Sequence, residues 1–79
     1  MVMTARTFGD LIRTVRKEEN LTQAQLAAAC GVGERFIREL EKGKPSCQLE
    51  KALLVAAMLG IKIYAKPPAS SEVEEEQDE

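Results

Sequence analysis

The sequence predicts an all-α domain of four short helices that ends in one short C-terminal β-strand. Three observations carry that reading. Apolar residues recur at three- and four-residue spacing from Phe8 to Leu59. Threonine followed three residues later by a carboxyl or amide side chain marks helix starts at Thr7/Asp10 and Thr22/Gln25. Beyond Gly60 the period shortens to two.

The first helix is expected to start at Thr7, with Asp10 in the place of the usual Glu, and to fray at Glu19-Asn20. Phe8, Leu11, Ile12 and Val15 form its inner stripe, and Arg13, Arg16 and Lys17 take the other faces. Thr22 and Gln25 cap the second helix, whose inner residues are Leu26, Ala27 and Cys30. Gly31 supplies the left-handed residue that helix ends favour. The third helix runs from Glu34 to about Lys42 and stops at Gly43, with Pro45 just beyond. On a 100° wheel Ile37 and Leu40 face inward and Glu34, Arg35, Arg38, Glu39 and Lys42 outward, with Phe36 on the flank. The fourth helix covers Leu49 to Leu59, with Leu49, Leu53, Leu54, Ala56 and Ala57 as its inner residues. Ile61–Lys66 alternates like a strand, and Pro67-Pro68 ends it.

At 79 residues the chain makes at most one domain. A domain of that size buries only about 60% of the surface its unfolded chain exposes, so a second copy is the expected further source of stability. The net charge of −2 conceals two regions of opposite sign. Residues 1–66 hold all 11 Lys and Arg against 7 Asp and Glu, a net +4, whereas residues 67–79 hold 6 acids and no base. The reading is a basic folded body, 1–66, and an acidic tail, 67–79, too poor in apolar residues to order itself. A basic body fits a polyanion partner.

Other classes are excluded by composition. With no His, no Cys-x-x-Cys, no glycine-rich phosphate loop and no convergent acid pair, no catalytic residue, metal site or cofactor is expected. The N-terminal MVMTARTFGD has no apolar export segment and no run approaches a membrane span, so the expected location is the cytoplasm, with both cysteines reduced. Cys30 reads as a small buried apolar residue. Cys47 lies near a helix start.

Two helices joined by a tight glycine-containing turn, the second basic on its outer face, form a helix-turn-helix. The stretch LTQAQLAAACGVGERFIRELEKGKP resembles the Cro/C1-type (Xre-like) helix-turn-helix of phage repressors, through Thr22-Gln23, Leu26-Ala27, Gly31-Val32, Ile37 and the Glu41-x-Gly43 ending. From Phe8 to Lys66 the chain is similar to HipB-type antitoxins, through FGDLIRTVRK, GVGERFIRELEKGKP and the single strand after the fourth helix. The resemblance implies a λ-repressor-like fold and a dimeric repressor that binds its own operator and a HipA-like protein kinase toxin. A stand-alone Xre-type regulator is the alternative, and an adaptor that has lost DNA binding is a third.

The residues support DNA binding independently. The major groove is about 12 Å wide and admits one helix. Arg35 and Arg38, three apart, can both reach into it, or else pair on the surface with Glu39 or Glu34. Glu34 can accept from cytosine or simply suit a helix N-terminus, and Phe36 can touch a thymine methyl or pack. Thr22 and Gln23 begin the positioning helix, Gly33 lets a phosphate approach, and Lys42 and Lys44 are phosphate contacts. The resemblance pairs Arg16 with Glu41, which lies near the inner face of the wheel and needs a partner for its charge. The strand residues Ile61, Lys62, Ile63, Tyr64 and Ala65 lack a partner within the chain and are expected to pair across a two-fold dimer on an inverted-repeat operator.

Overall fold

The computed structural model describes residues 3–68, among which there are four α-helices and no strand. The helices are α1 (Ala5–Glu18), α2 (Gln23–Cys30), α3 (Glu34–Glu41) and α4 (Leu49–Met58). α3 packs against both α1 and α2, and α4 against α2.

The cap of α1 lies three residues before the Thr7 expected from its spacing to Asp10. It is Thr4: the Thr7 N–H donates to Thr4 Oγ1 at 3.1 Å, and the Thr4 N–H donates to Thr7 Oγ1 at 2.8 Å. Two overlapping threonine registers are present in the sequence. The earlier one closes a first turn of helix-compatible residues, with the Phe8 N–H on the Thr4 carbonyl at 2.9 Å. The α2 box is made by Thr22 and Gln25: the Gln25 N–H donates to Thr22 Oγ1 at 3.0 Å, and the Thr22 N–H to Gln25 Oε1 at 2.8 Å. α3 and α4 start without a side-chain cap.

All four helices end in the same closing pair of backbone bonds. After α1, the Leu21 N–H reaches the Arg16 carbonyl and the Asn20 N–H that of Lys17, and the Val32, Lys44 and Ile61 N–H groups close the other three. The motif needs one left-handed residue, which is Asn20 at φ 60° after α1 and a glycine after the rest, such as Gly31 at φ 71°. It bends the chain sharply and lets four short helices fold back on one core.

That core is Ile12, Leu26, Ala27, Cys30, Ile37, Leu40, Ala52, Val55, Ala56 and Leu59, flanked by Phe8, Val15, Leu21, Val32, Phe36, Cys47 and Ile61. The inner face of α4 differs from the expected one. Ala52, Val55, Ala56 and Leu59 point inward, whereas Leu49, Leu53, Leu54 and Ala57 are exposed. α4 is apolar almost all round, so the wheel leaves its rotation open, and the bulky leucines fit outside where small alanines allow close packing on α2. Leu11 is likewise at the surface.

Gly9 is buried where α1 meets the end of α3. A Cβ at this position would collide with the Leu40 carbonyl oxygen and lie 2.9 Å from that of Glu41. The close approach brings Arg16, two turns further along α1, into reach of α3.

Residues 61–68 form no strand within the described chain. Ile61 is half-buried against the core, while Lys62, Ile63, Tyr64, Ala65 and Lys66 are exposed. A lone segment has no ladder to join within the described chain, so the alternation of Ile61–Lys66 does not become a strand here. All but two residues of the acidic tail, those from 69 onward, lie outside the described residues.

Candidate nucleic-acid interface

The turn Gly31-Val32-Gly33 sets α2 and α3 against each other. Val32 packs on the core and Gly33 is the N-cap of α3, at φ −77° and ψ 152°. Nothing lies within 4 Å of a Cβ built at Gly33, so the fold itself does not require glycine there and the approach to the α3 N-terminus is open.

Burial and charge divide α3 cleanly. Ile37 and Leu40 are buried, and Phe36 is half-buried against the core. Glu34, Arg35, Arg38 and Lys42 are exposed. Glu39, half-buried, accepts from Arg35 Nε at 3.1 Å and from Lys44 Nζ at 3.2 Å. These two cations hold its carboxyl below the usual carboxylate range, Arg35 contributing most. Arg38 Nη1 stands 4.0 Å from Glu34 Oε2, the outer limit of an ion pair. Exposed i,i+4 pairs contribute only about 0.3–0.5 kcal/mol, so neither arginine is withheld from a stronger acceptor. The surface pairing weighed as an alternative in the sequence coexists with availability for DNA.

Behind this face lies a buried ion pair. Arg16 Nε donates to Glu41 Oε2 at 2.6 Å, Arg16 Nη2 to Glu41 Oε1 at 3.0 Å, and Arg16 Nη1 to the Leu21 carbonyl at 2.8 Å. The hydrogen bonds to Glu41 raise the Arg16 pKa above its ordinary value, against the opposing effect of burial. Gln23 joins the same group, its Nε2 donating to Glu41 Oε1 at 3.1 Å. The side chain that opens α2 is thereby tied to the end of α3. One Nε2 hydrogen is left to donate to a phosphate or water, and the amide oxygen is left to accept from water.

The structure thus brings Gln23, Arg16 and Glu41 together, and separately Arg35, Glu39 and Lys44. Thr22 serves its helix as cap, and Lys42 is at the surface beyond α3. Ile63 and Tyr64 are exposed beside an apolar groove of about 430 Å³ that Leu49, Leu53, Phe8 and Leu11 also line. The sequence reading missed this groove, the Gln23–Glu41 bond and the bridging role of Glu39. The four-residue step from Arg35 to Glu39 signalled the last; the others depend on how helices cross.

Cys30 and Cys47 are free thiols, and burial pushes that of Cys30 up. Among the described residues no three His, Cys, Asp or Glu side chains gather as a metal-binding group. No described helix is long and apolar enough to cross a membrane.

Comparison with known proteins matches this geometry. The sequence pattern of the helix-turn-helix family covers residues 12–65. The chain is 50% identical over 67 residues to an uncharacterized HTH-type transcriptional regulator, y4mF, of Sinorhizobium fredii (strain NBRC 101917 / NGR234), covering 85% of this chain and 88% of the relative. It is 33% identical over 73 residues to an immunity repressor protein of Bacillus phage phi105, covering 92% of this chain and 51% of that protein; it spans about half the phage repressor's length. Among solved structures, HipB in its complex with the O4 20mer superposes with a TM-score of 0.75 at 16% identity, covering 85% of this chain and 94% of that one. A HipB variant with the O2 20mer gives 0.76 at 18% identity, covering 85% and 93%.

Proposed function

The chain belongs to the helix-turn-helix family and is a DNA-binding transcriptional regulator; from that premise we propose a sequence-specific repressor that serves as the antitoxin of a toxin–antitoxin pair. The observation that carries sequence reading is the outer face of α3. Its Arg35 and Arg38 side chains are 80% and 46% exposed, directly opposite the buried Ile37 and Leu40.

In this reading α3 lies in the major groove, and the arginines address guanine O6 and N7, the commonest specific contact. The α2 N-terminus, with Thr22 and Gln23, meets a phosphate, where backbone N–H groups and the helix dipole favour an anion. Gly33 keeps the α3 entrance clear for the sugar-phosphate chain, and Lys42 and Lys44 add backbone contacts that hold register without reading sequence. Glu34, at the first turn, is placed to accept from cytosine N4. Two copies pair through Ile61–Ala65 and cover Leu49 and Leu53. That sets two α3 helices about 34 Å apart on an inverted-repeat operator in the cytoplasm. Residues 1–66 form this DNA-binding and dimerisation domain, and 67–79 are its acidic tail.

The antitoxin role is supported by the shared fold with HipB, which extends over nearly all of the HipB chain. Its partner would be a HipA-like protein kinase. Co-expression with the adjacent gene tests it: the expected result is a stable complex that still binds operator, with the neighbour toxic when this protein is absent. A solitary gene, or a neighbour that neither binds nor harms the cell, leaves the stand-alone regulator, the reading that the names of the two sequence relatives favour.

A further inference from the structure

We infer that Glu39 is a positioning residue for base reading, holding Arg35 by its Nε so that the two terminal nitrogens face a guanine. The inference rests on α3 as the reading helix and assigns the two arginines different tasks. Arg35 is 80% exposed and would sample many rotamers if left alone. Its Nε is held 3.1 Å from Glu39 Oε2. Guanidinium is planar, so a bond on the Nε edge narrows the directions open to the Nη1 and Nη2 edge, the one that matches O6 and N7.

Glu39 is itself held. Its other oxygen accepts from Lys44 Nζ at 3.2 Å, and its side chain is only 30% exposed. One arm comes from the first turn of α3 and the other from the turn beyond it, so the carboxylate has little freedom to follow a moving arginine. Arg38 has no such support, since its nearest carboxylate, Glu34, is 4.0 Å away and 52% exposed. Arg35 is therefore the orientation-sensitive reader, whereas Arg38 remains free to choose among a base edge, a phosphate and Glu34. A carboxylate beside DNA also repels phosphate, so Glu39 lowers general affinity while sharpening the choice of sequence.

The test measures binding of the full chain to two duplexes, one selected from a randomised library and one scrambled, across a salt series. Glu39→Ala is expected to lower the preference for the selected duplex about twofold, at the single guanine that Arg35 reads. Binding to the scrambled duplex should hold or strengthen, and its salt slope should steepen by about one as Arg35 turns to a phosphate. Glu39→Gln, which keeps the shape and an acceptor oxygen, should recover part of the preference. In an Arg35→Ala background Glu39→Ala should have no further effect on preference. Unchanged preference in Glu39→Ala overturns the inference. So does an equal loss in the Arg35→Ala background, which would make Glu39 a direct contact or a structural residue. Absence of preference in the parent protein overturns the reading of α3 itself, a result distinct from either.

Discussion

Arg16 of α1 grips both carboxylate oxygens of Glu41, the last residue of α3, with distances of 2.6 and 3.0 Å. The two side chains are 9% and 3% exposed, and Gln23 of α2 leans on the same carboxylate. One ion pair thus connects three helices across the back of the outward-facing arginines. Breaking a buried pair by removing one partner costs about 3–5 kcal/mol, because it strands the other charge out of water. Arg16→Met is accordingly expected to lose about that much in urea unfolding, and Arg16→Met with Glu41→Leu to regain most of it. An Arg16→Met protein as stable as the parent would show that the pair contributes nothing to the fold.

Gly9→Ala sets helix propensity against packing. Alanine favours a helix interior by about 1 kcal/mol over glycine, but the added methyl meets the Leu40 and Glu41 carbonyl oxygens. Those are backbone atoms, which cannot swing aside as a long side chain would, and overpacking costs about 1–3 kcal/mol. Net destabilisation is expected, read as a lower Tm. A higher Tm would mean that α1 shifts off α3 at little cost.

The exposed apolar side chains predict the dimer contact. Leu49, Leu53, Ile63 and Tyr64 are 70%, 43%, 53% and 84% exposed and line one groove. Since Ile61 packs on the core, removal of residues 62–79 is expected to leave the helical body folded. That truncation, and separately Leu53→Lys, should sediment as monomer with unchanged helical circular dichroism. A truncated protein that remains dimeric places the contact on the helices alone.

Much of the fold is legible in the sequence because its signals are local. The Thr22–Gln25 cap, the Gly31 and Gly43 stops and the Ile37/Leu40 face follow from short spacing rules. The α1 start is shifted because Thr4–Thr7 and Thr7–Asp10 offer competing caps, and a spacing rule does not rank them. The α4 face is misread because Leu49, Leu53 and Leu54 share the outer side with Glu50 and Lys51, and the inward rotation depends on α2, where Ala52 and Ala56 permit close contact. The outward arginines and the Gly33 entrance could be placed from the wheel. The Gln23–Glu41 bond could not, since it exists only once three helices have met.

The most direct test of the central claim, that α3 reads DNA sequence, is equilibrium binding at fixed salt to a library-selected duplex and to its scrambled counterpart. Arg35→Ala and Arg38→Ala are each compared with Lys42→Ala. Each arginine change is expected to cost about 1–3 kcal/mol on the selected duplex, with less loss on the scrambled one. Lys42→Ala should weaken both alike and flatten the salt slope by about one. Equal losses on both duplexes for both arginine variants would contradict the claim, reducing α3 to a phosphate contact.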